Sequence, residues 1–268
     1  MRSLLPLVLA AAGSLTGPIP DFPESRKLEI IKLIWQREGG GTVKGLAQWN
    51  AGESFASVGA AHYLWYPDYE LCGRTRPGFD ESLPTLIAWM VNEQGLPAAS
   101  LPQVLAADGA GKIRPAPWCT RRQFLSRDNS PELAELRSFF ARRDILLLQA
   151  DFQIARLRAS LDALVKHDPV RAGVIQRNID TVTASEAGVV AMLDYVGFKG
   201  EGLKPGERTP SGHGWGLFQV LIEMERFGGL DGLQRFKSGA RFVLERRAQD
   251  DPSVRRYLRG WLKRIDGY

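Results

Sequence analysis

Three consecutive glycines, Gly39-Gly40-Gly41, end one kind of sequence pattern and begin another. Upstream, ESRKLEIIKLIWQREGGG sets Leu28, Ile31, Ile34 and Trp35 at spacings of three and four, the mark of an amphipathic helix. A glycine run cannot sit inside a helix, so the helix stops there and delivers Glu38 at its C-terminal end. Downstream, residues 42–66 mix Thr42, Val43, Trp49, Phe55, Val58, Tyr63 and Trp65 with Gly and Asn, and Pro67 closes the stretch. Short strands or irregular hairpins are predicted there.

Beyond Pro67 the chain is mostly helical in pattern. Ser82-Leu83-Pro84 opens a helix running to about Gln94, where Gly95 stops it. Residues 97–119 are rich in Ala, Pro and Gly and read as a surface connection. Ser130-Pro131-Glu132 is a helix start, with a capping hydroxyl, a first-turn proline and an early acid. Helical patterns then cover roughly 131–166, 169–182 and 186–196. A Gly/Pro loop runs from Gly197 to Gly214, and three further helical segments come after it. In the last, Val254, Tyr257, Leu258, Trp261, Leu262 and Ile265 make one apolar face. The fold class is therefore mainly α (α+β), helical with a small β hairpin after the first main helix. With 268 residues and no clear linker or solenoid repeat, residues 21–268 read as one domain.

Composition narrows the chemistry. Two cysteines and three histidines exclude a Cys-rich scaffold and a metal site built from many such ligands. HExxH, CxxC and GxSxG motifs are absent, and Gly109-Ala110-Gly111-Lys112 lacks the rest of a phosphate loop. No cofactor and no metal are implied, which leaves carboxylate- or hydroxyl-based chemistry, or plain binding. The net charge of +5 is modest. The basic C-terminal residues Arg246, Arg247, Arg255, Arg256, Arg259, Lys263 and Arg264 read as a solvated helix face, compatible with an anionic polymer, rather than a nucleic-acid surface. The start, MRSLLPLVLAAAGSLTGPIP, has one Arg, an apolar run and an A-x-A site ending at Ala12. It reads as a short signal peptide or an N-terminal arm over 1–20, and points to a periplasmic or secreted protein. The apolar run is too short for membrane insertion. In an exported chain Cys72 and Cys119 are candidates for one disulfide; two free thiols are the alternative.

Two segments carry candidate chemistry. In the first, Glu38-Gly39 is followed by Ser57-Val58-Gly59-Ala60-Ala61-His62. This resembles the phage-type lysozyme signature, a helix ending in Glu-Gly, then an Asp, then Thr-Ile-Gly-x-Gly-His. Ala61 replaces the second glycine, and the family's Asp falls on Ala51, with Asn50 beside it and Glu53 nearby. In the second segment, Glu201 precedes Gly216-Leu217-Phe218-Gln219, with eighteen residues from Glu201 to Gln219. This resembles the lytic transglycosylase signature, a helix ending in a catalytic Glu followed by a Gly-Leu-Met-Gln turn. Phe218 stands at the Met position and Gly202 where that family prefers Ser.

Both resemblances imply a lysozyme-like fold and a β-1,4-linked amino-sugar polymer such as peptidoglycan as partner. A minimal domain of that kind is shorter than this chain, so the helices around 97–185 read as an elaboration. The lysozyme-type resemblance implies a glycoside hydrolase with Glu38 as general acid and Glu53 as the second carboxyl. The transglycosylase resemblance implies Glu201 acting alone. A third alternative is a non-catalytic cell-wall or sugar-binding protein on the same scaffold. Asn50, Ser57, His62, Trp49, Tyr63, Trp215 and Gln219 are candidates to bind substrate, and Trp65 and Tyr66 could also stack on sugar rings.

Overall fold

The computed structural model describes residues 19–78, 80–106, 112–128 and 130–268. The signal-peptide pattern over residues 1–12 and most of the rejected phosphate-loop stretch lie outside them. The described chain is mainly helical with one small antiparallel sheet. Its residues group into two compact units. The first is Phe22–Gln153; the second is Ile154–Tyr268 together with residues 19–21.

The first unit opens with α1 (Glu24–Gly39), which buries Ile30, Ile31 and Ile34. Gly40 ends it in the left-handed region at φ 66°, a conformation glycine adopts without Cβ strain. A 3-10 turn at Lys44–Leu46 leads into β1 (Ala47–Gln48), β2 (Ala56–Val58) and β3 (Tyr63–Trp65). The strands pair in order β1-β2-β3, all antiparallel. The register sets Ala47 against Val58 and Val58 against Tyr63, and Ala56 against Trp65. Because side chains alternate along a strand, these five share one face, and all five are buried. Gln48, Ser57 and Leu64 share the other face.

Helices α2 (Leu83–Asn92), α3 (Arg121–Ser126), α4 (Pro131–Ala141) and the first part of α5 (Arg143–His167) complete this unit. The predicted starts at Ser82 and Ser130 hold, and the Ser130 hydroxyl accepts the Leu133 N–H. Helix α3 went unseen in the sequence, although Thr120 and Gln123 form a reciprocal capping box around its first turn. The 97–119 segment is more than a surface connection. Leu105, Ile113, Ala116 and Trp118 are buried. Ala116 N–H donates to the Tyr66 carbonyl at 2.7 Å, and the Trp65 indole donates to the Arg114 carbonyl at 2.9 Å. Cys72 and Cys119 are joined in a disulfide with Cα atoms 5.4 Å apart.

The second unit takes the rest of α5, then α6 (Ala172–Thr183), α7 (Glu186–Lys199), α8 (Leu217–Glu223), α9 (Gly232–Asp250) and α10 (Arg255–Asp266). Its core includes Leu157, Leu161, Ile175, Ile179, Met192, Tyr195, Leu217, Leu221, Phe236 and Leu244. Helix α7 is apolar on most faces, as its sequence suggests, and nine of its fourteen residues are buried. Among the described residues no helix is long and apolar enough to cross a membrane.

The disulfide closes a loop spanning 47 residues of sequence. Chain-entropy arguments give such a loop at most about 4 kcal/mol of stabilisation. The Cys72→Ser, Cys119→Ser double variant should unfold at lower urea concentration than the oxidised protein, and reduction of the wild type should give the same shift. Coincident unfolding curves would remove the bond from the stability of the first unit.

Candidate functional site

Glu38 and His62 come together in the first unit, and backbone contacts bring them there. At the end of α1, Gly39 and Gly45 touch through their main chains. A Cβ on Gly45 would lie 2.0 Å from the Gly39 carbonyl oxygen, so only glycine fits. Thr42 braces the intervening turn. Its hydroxyl donates to the Gly39 carbonyl at 3.3 Å, and its carbonyl accepts the Trp35 indole N–H at 3.0 Å. The Gly45 carbonyl, fixed by this contact, accepts from Nε2 of His62 at 3.1 Å.

That bond assigns the neutral tautomer: Nε2 carries the proton and Nδ1 is left as an acceptor. Nδ1 faces Glu38 Oε2 at 3.9 Å, close enough for charge coupling and too far for a hydrogen bond. Burial pushes the imidazole below its usual value, while the Glu38 carboxylate and the Gly45 carbonyl pull partly the other way. His62 is therefore neutral at pH 7. It also occupies φ 51°, in the left-handed region, the one non-glycine residue to do so among the described residues. Such a conformation persists only when surrounding contacts enforce it.

Glu53 lies on the β1–β2 connection. Its N–H donates to the Asn50 carbonyl at 3.3 Å, and its own carbonyl accepts the Trp49 indole N–H at 2.9 Å. Its carboxyl is half-buried, and Oε2 has no hydrogen-bond partner. Burial raises its pKa above the usual value, against smaller lowering effects of the Asn50 side chain and backbone. Asn50 is itself exposed and accepts a hydrogen bond from the Gln48 amide at 3.2 Å.

The aromatic candidates of this unit are mostly core. Trp49 is 2% exposed and packs against Phe124. Tyr63 is 1% exposed, packs against Phe152, and its hydroxyl accepts from the Gln153 amide at 2.7 Å. Trp65 and Tyr66 are buried too. As placed, these rings have no face open to a sugar. Ser57 is buried, opposite Gln48 and Leu64.

Glu201, Gln219 and Trp215 belong to the second unit. Helix α7 runs past the predicted end at 196 to Lys199, and Glu201 lies two residues beyond it, whereas the resembled signature ends its helix in the Glu itself. The Ser160 hydroxyl donates to its Oε1 at 2.7 Å. The Leu217 and Phe218 N–H groups donate to the Gly200 and Glu201 carbonyls at 3.0 and 2.9 Å. Gln219 closes the loop on itself. Its amide oxygen accepts the Gly216 N–H at 2.9 Å, and its NH2 donates to the Gly202 carbonyl at 3.0 Å. Near Gln219 lies a cavity of about 420 Å³, also lined by His167, His213, Arg171, Arg208 and Arg246. Trp215 is half-buried beneath the Arg247 guanidinium, 3.5 Å from its ring centre.

Among the described residues no group of three or more His, Cys, Asp and Glu side chains is arranged to hold a metal ion. The chain matches no known protein family, no curated protein and no solved structure.

Two substitutions probe the first unit. Gly45→Ala forces Gly39 and Gly45 apart and should destabilise the protein by about 1–3 kcal/mol, the range for overpacking a tight contact. An unchanged melting temperature would show that the turn relaxes freely. Glu53→Gln should raise stability at pH 7. The folded pKa lies above the unfolded one, so this group's contribution is fully present below the unfolded value of about 4.5 and falls as pH rises through the folded value. The variant's gain should therefore vanish below about pH 4 in thermal melts across pH.

Proposed function

We propose that the first unit is a carboxylate glycosidase acting on a β-1,4-linked amino-sugar polymer such as peptidoglycan. The observation that carries this reading is Glu38 at a helix end facing His62, whose ring is held by the Gly45 carbonyl on the turn into a three-stranded sheet. Helix-end acid, glycine turn and antiparallel sheet come in the order of the lysozyme-type signature.

In this scheme Glu38 protonates the glycosidic oxygen as the bond to the anomeric carbon breaks. Glu53 serves the opposite face of the sugar. Its half-buried carboxyl, with Oε2 unpartnered, disfavours its own charge in the empty protein. Positive charge growing on the sugar ring in the transition state would favour that charge, which is stabilisation confined to the transition state. A carboxyl separation of about 5–5.5 Å in the complex would give retention through a covalent intermediate, and about 6.5–9.5 Å would give inversion through water.

The second unit supports a competing reading. Glu201 sits after a helix end, with the Gln219 amide tying Gly202 to Gly216 around it. In a lytic transglycosylase that carboxyl acts first as acid and then as base, and the sugar's own 6-hydroxyl attacks. A purely sugar-binding protein is the third reading.

One experiment separates them: purified peptidoglycan is incubated with the protein and its Glu38→Gln, Glu53→Gln and Glu201→Gln variants. Glycosidase action predicts new reducing ends and a loss of about 100-fold or more in Glu38→Gln. Glu201→Gln should retain activity, and the acid limb of the wild-type pH profile should lie above the ordinary carboxyl value of 4.5. 1,6-Anhydro products lost only in Glu201→Gln would select the transglycosylase. Binding without turnover would leave the sugar-binding reading.

A further inference from the structure

A cluster in the second unit gathers cations that this unit leaves without counter-charges. Lys199, the last residue of α7, is 9% exposed. Its Nζ lies 3.4 Å from the ring centre of Trp261 on α10 and 3.9 Å from that of Phe198. Arg247 on α9 stands over the same Trp261 ring at 5.1 Å and over Trp215 at 3.5 Å. The Nε of Arg247 is buried with no hydrogen-bond partner. Neither side chain is in a salt bridge or donates a hydrogen bond to any described residue.

The nearby charges do not complete either group. Asp194 on α7 is engaged by Arg264 of α10, which donates from Nε at 2.8 Å and from a terminal nitrogen at 2.9 Å. Asp251, beyond α9, favours the Arg247 charge only through space and caps its own turn through Ser253. Tyr195 and Tyr268, the other titratable groups packed here, are both pushed far above the usual phenol value by burial, so they stay neutral. Three basic side chains and three rings thus meet two carboxylates, Asp194 already bound by Arg264 and Asp251 bonded within its own turn. Cation–π contact offsets part of the desolvation, but not the mutual repulsion.

We propose that Lys199, Arg247, Trp215 and Trp261 form a binding site for an oxyanion carried on a ring-shaped molecule. The oxyanion would accept hydrogen bonds from Lys199 Nζ and Arg247 Nε together, and the ring would lie against the half-buried indoles. A sugar acid or a sugar phosphate has this chemistry; a neutral sugar lacks the charge, and inorganic phosphate lacks the ring. Nothing in this site depends on Glu38 or Glu53, so it stands or falls apart from the glycosidase reading.

Proton linkage supplies an independent readout. Burial, and then the Arg247 and Arg264 charges, push the Lys199 ammonium down to about 6. At about pH 7.5 the empty site therefore holds a neutral amine, and a bound oxyanion restores its proton.

The test is isothermal titration of the full chain at about pH 7.5 with glucuronate, glucose 6-phosphate, glucose and inorganic phosphate, in two buffers of different ionisation enthalpy. Saturable binding is expected for glucuronate or glucose 6-phosphate, tighter than for glucose and for inorganic phosphate. Whichever of the two binds tighter identifies the oxyanion as carboxylate or phosphate. Uptake of close to one proton is expected. Lys199→Met, close in volume to the neutral lysine, should weaken binding at least about tenfold and abolish the uptake. Arg247→Gln should weaken it similarly, and serves in place of the lysine variant if that one does not fold. No binding of either ring-borne anion, inorganic phosphate binding as tightly, binding without proton uptake, or binding unaltered in the folded variants would each overturn the proposal.

Discussion

The amide of Gln149 is fully buried, and the Glu38–His62 pair depends on it. Its oxygen accepts the Ala60 N–H at 2.7 Å, and its NH2 donates to the Phe140 and Ile145 carbonyls at 3.3 and 3.2 Å. Loss of that one side chain would strand the Ala60 N–H away from water, at the desolvation penalty of an unmade bond. One helical turn on, Gln153 bonds the Tyr63 hydroxyl. Helix α5 thereby grips both sides of the β2–β3 turn, and that turn carries His62. The grip also explains Gly59: a Cβ there would lie 2.7 Å from the Gln149 oxygen.

The Gly39–Gly45 contact supplies the other half of the placement. It presses the end of α1 against the 3-10 turn, and the Gly59 N–H bonds the Leu46 carbonyl at 2.8 Å just beyond. Arg137 on α4 locks the neighbouring strand, donating to the Ala47 carbonyl at 2.9 Å while paired with Asp128 at 2.6 Å. Glu38 and His62 are thus set against each other mostly by backbone. A residue at a left-handed φ can be held in this frame because each adjoining segment is tied to a different helix.

How much of this was legible depended on how local the cause was. The end of α1, the β character of 42–66 and the start of α4 follow from glycine, from β-branched and aromatic residues among Gly and Asn, and from a capping serine within a few residues of each site. Helix α3 was readable too, from its T-x-x-Q capping box, but only if a six-residue helix was being sought. Gln149 was not readable, because its partner Ala60 is 89 positions away and a mid-helix glutamine ordinarily faces solvent. The aromatics were ambiguous for the same reason. Trp49 stands between Gln48 and Asn50 and Tyr63 follows His62 in sequence, yet Phe124 and Phe152, which pack against them, come from helices far along the chain. Nor could sequence show that the contacts divide at Gln153, inside the pattern of a single long helix.

The molecule treats its partly and fully buried ionisable groups in two ways. Asp128 takes both Lys44 and Arg137, and its pKa is pushed below the usual range by those hydrogen bonds. Asp194 is matched by the bidentate Arg264. Both carboxylates have a cation built in beside them. Glu53 in one unit and Lys199 in the other are displaced the opposite way, each toward its neutral form, with burial as the leading cause. A neutral side chain of similar shape would serve the fold better at either place. The surroundings that pair Asp128 and Asp194 so closely show that this chain can supply counter-charges where packing alone is at stake. A group held short of its charge gains most when an opposite charge arrives from outside, whether a positive sugar ring in a transition state or a bound oxyanion. Under the two proposals, Glu53 and Lys199 are the groups that would respond in this way.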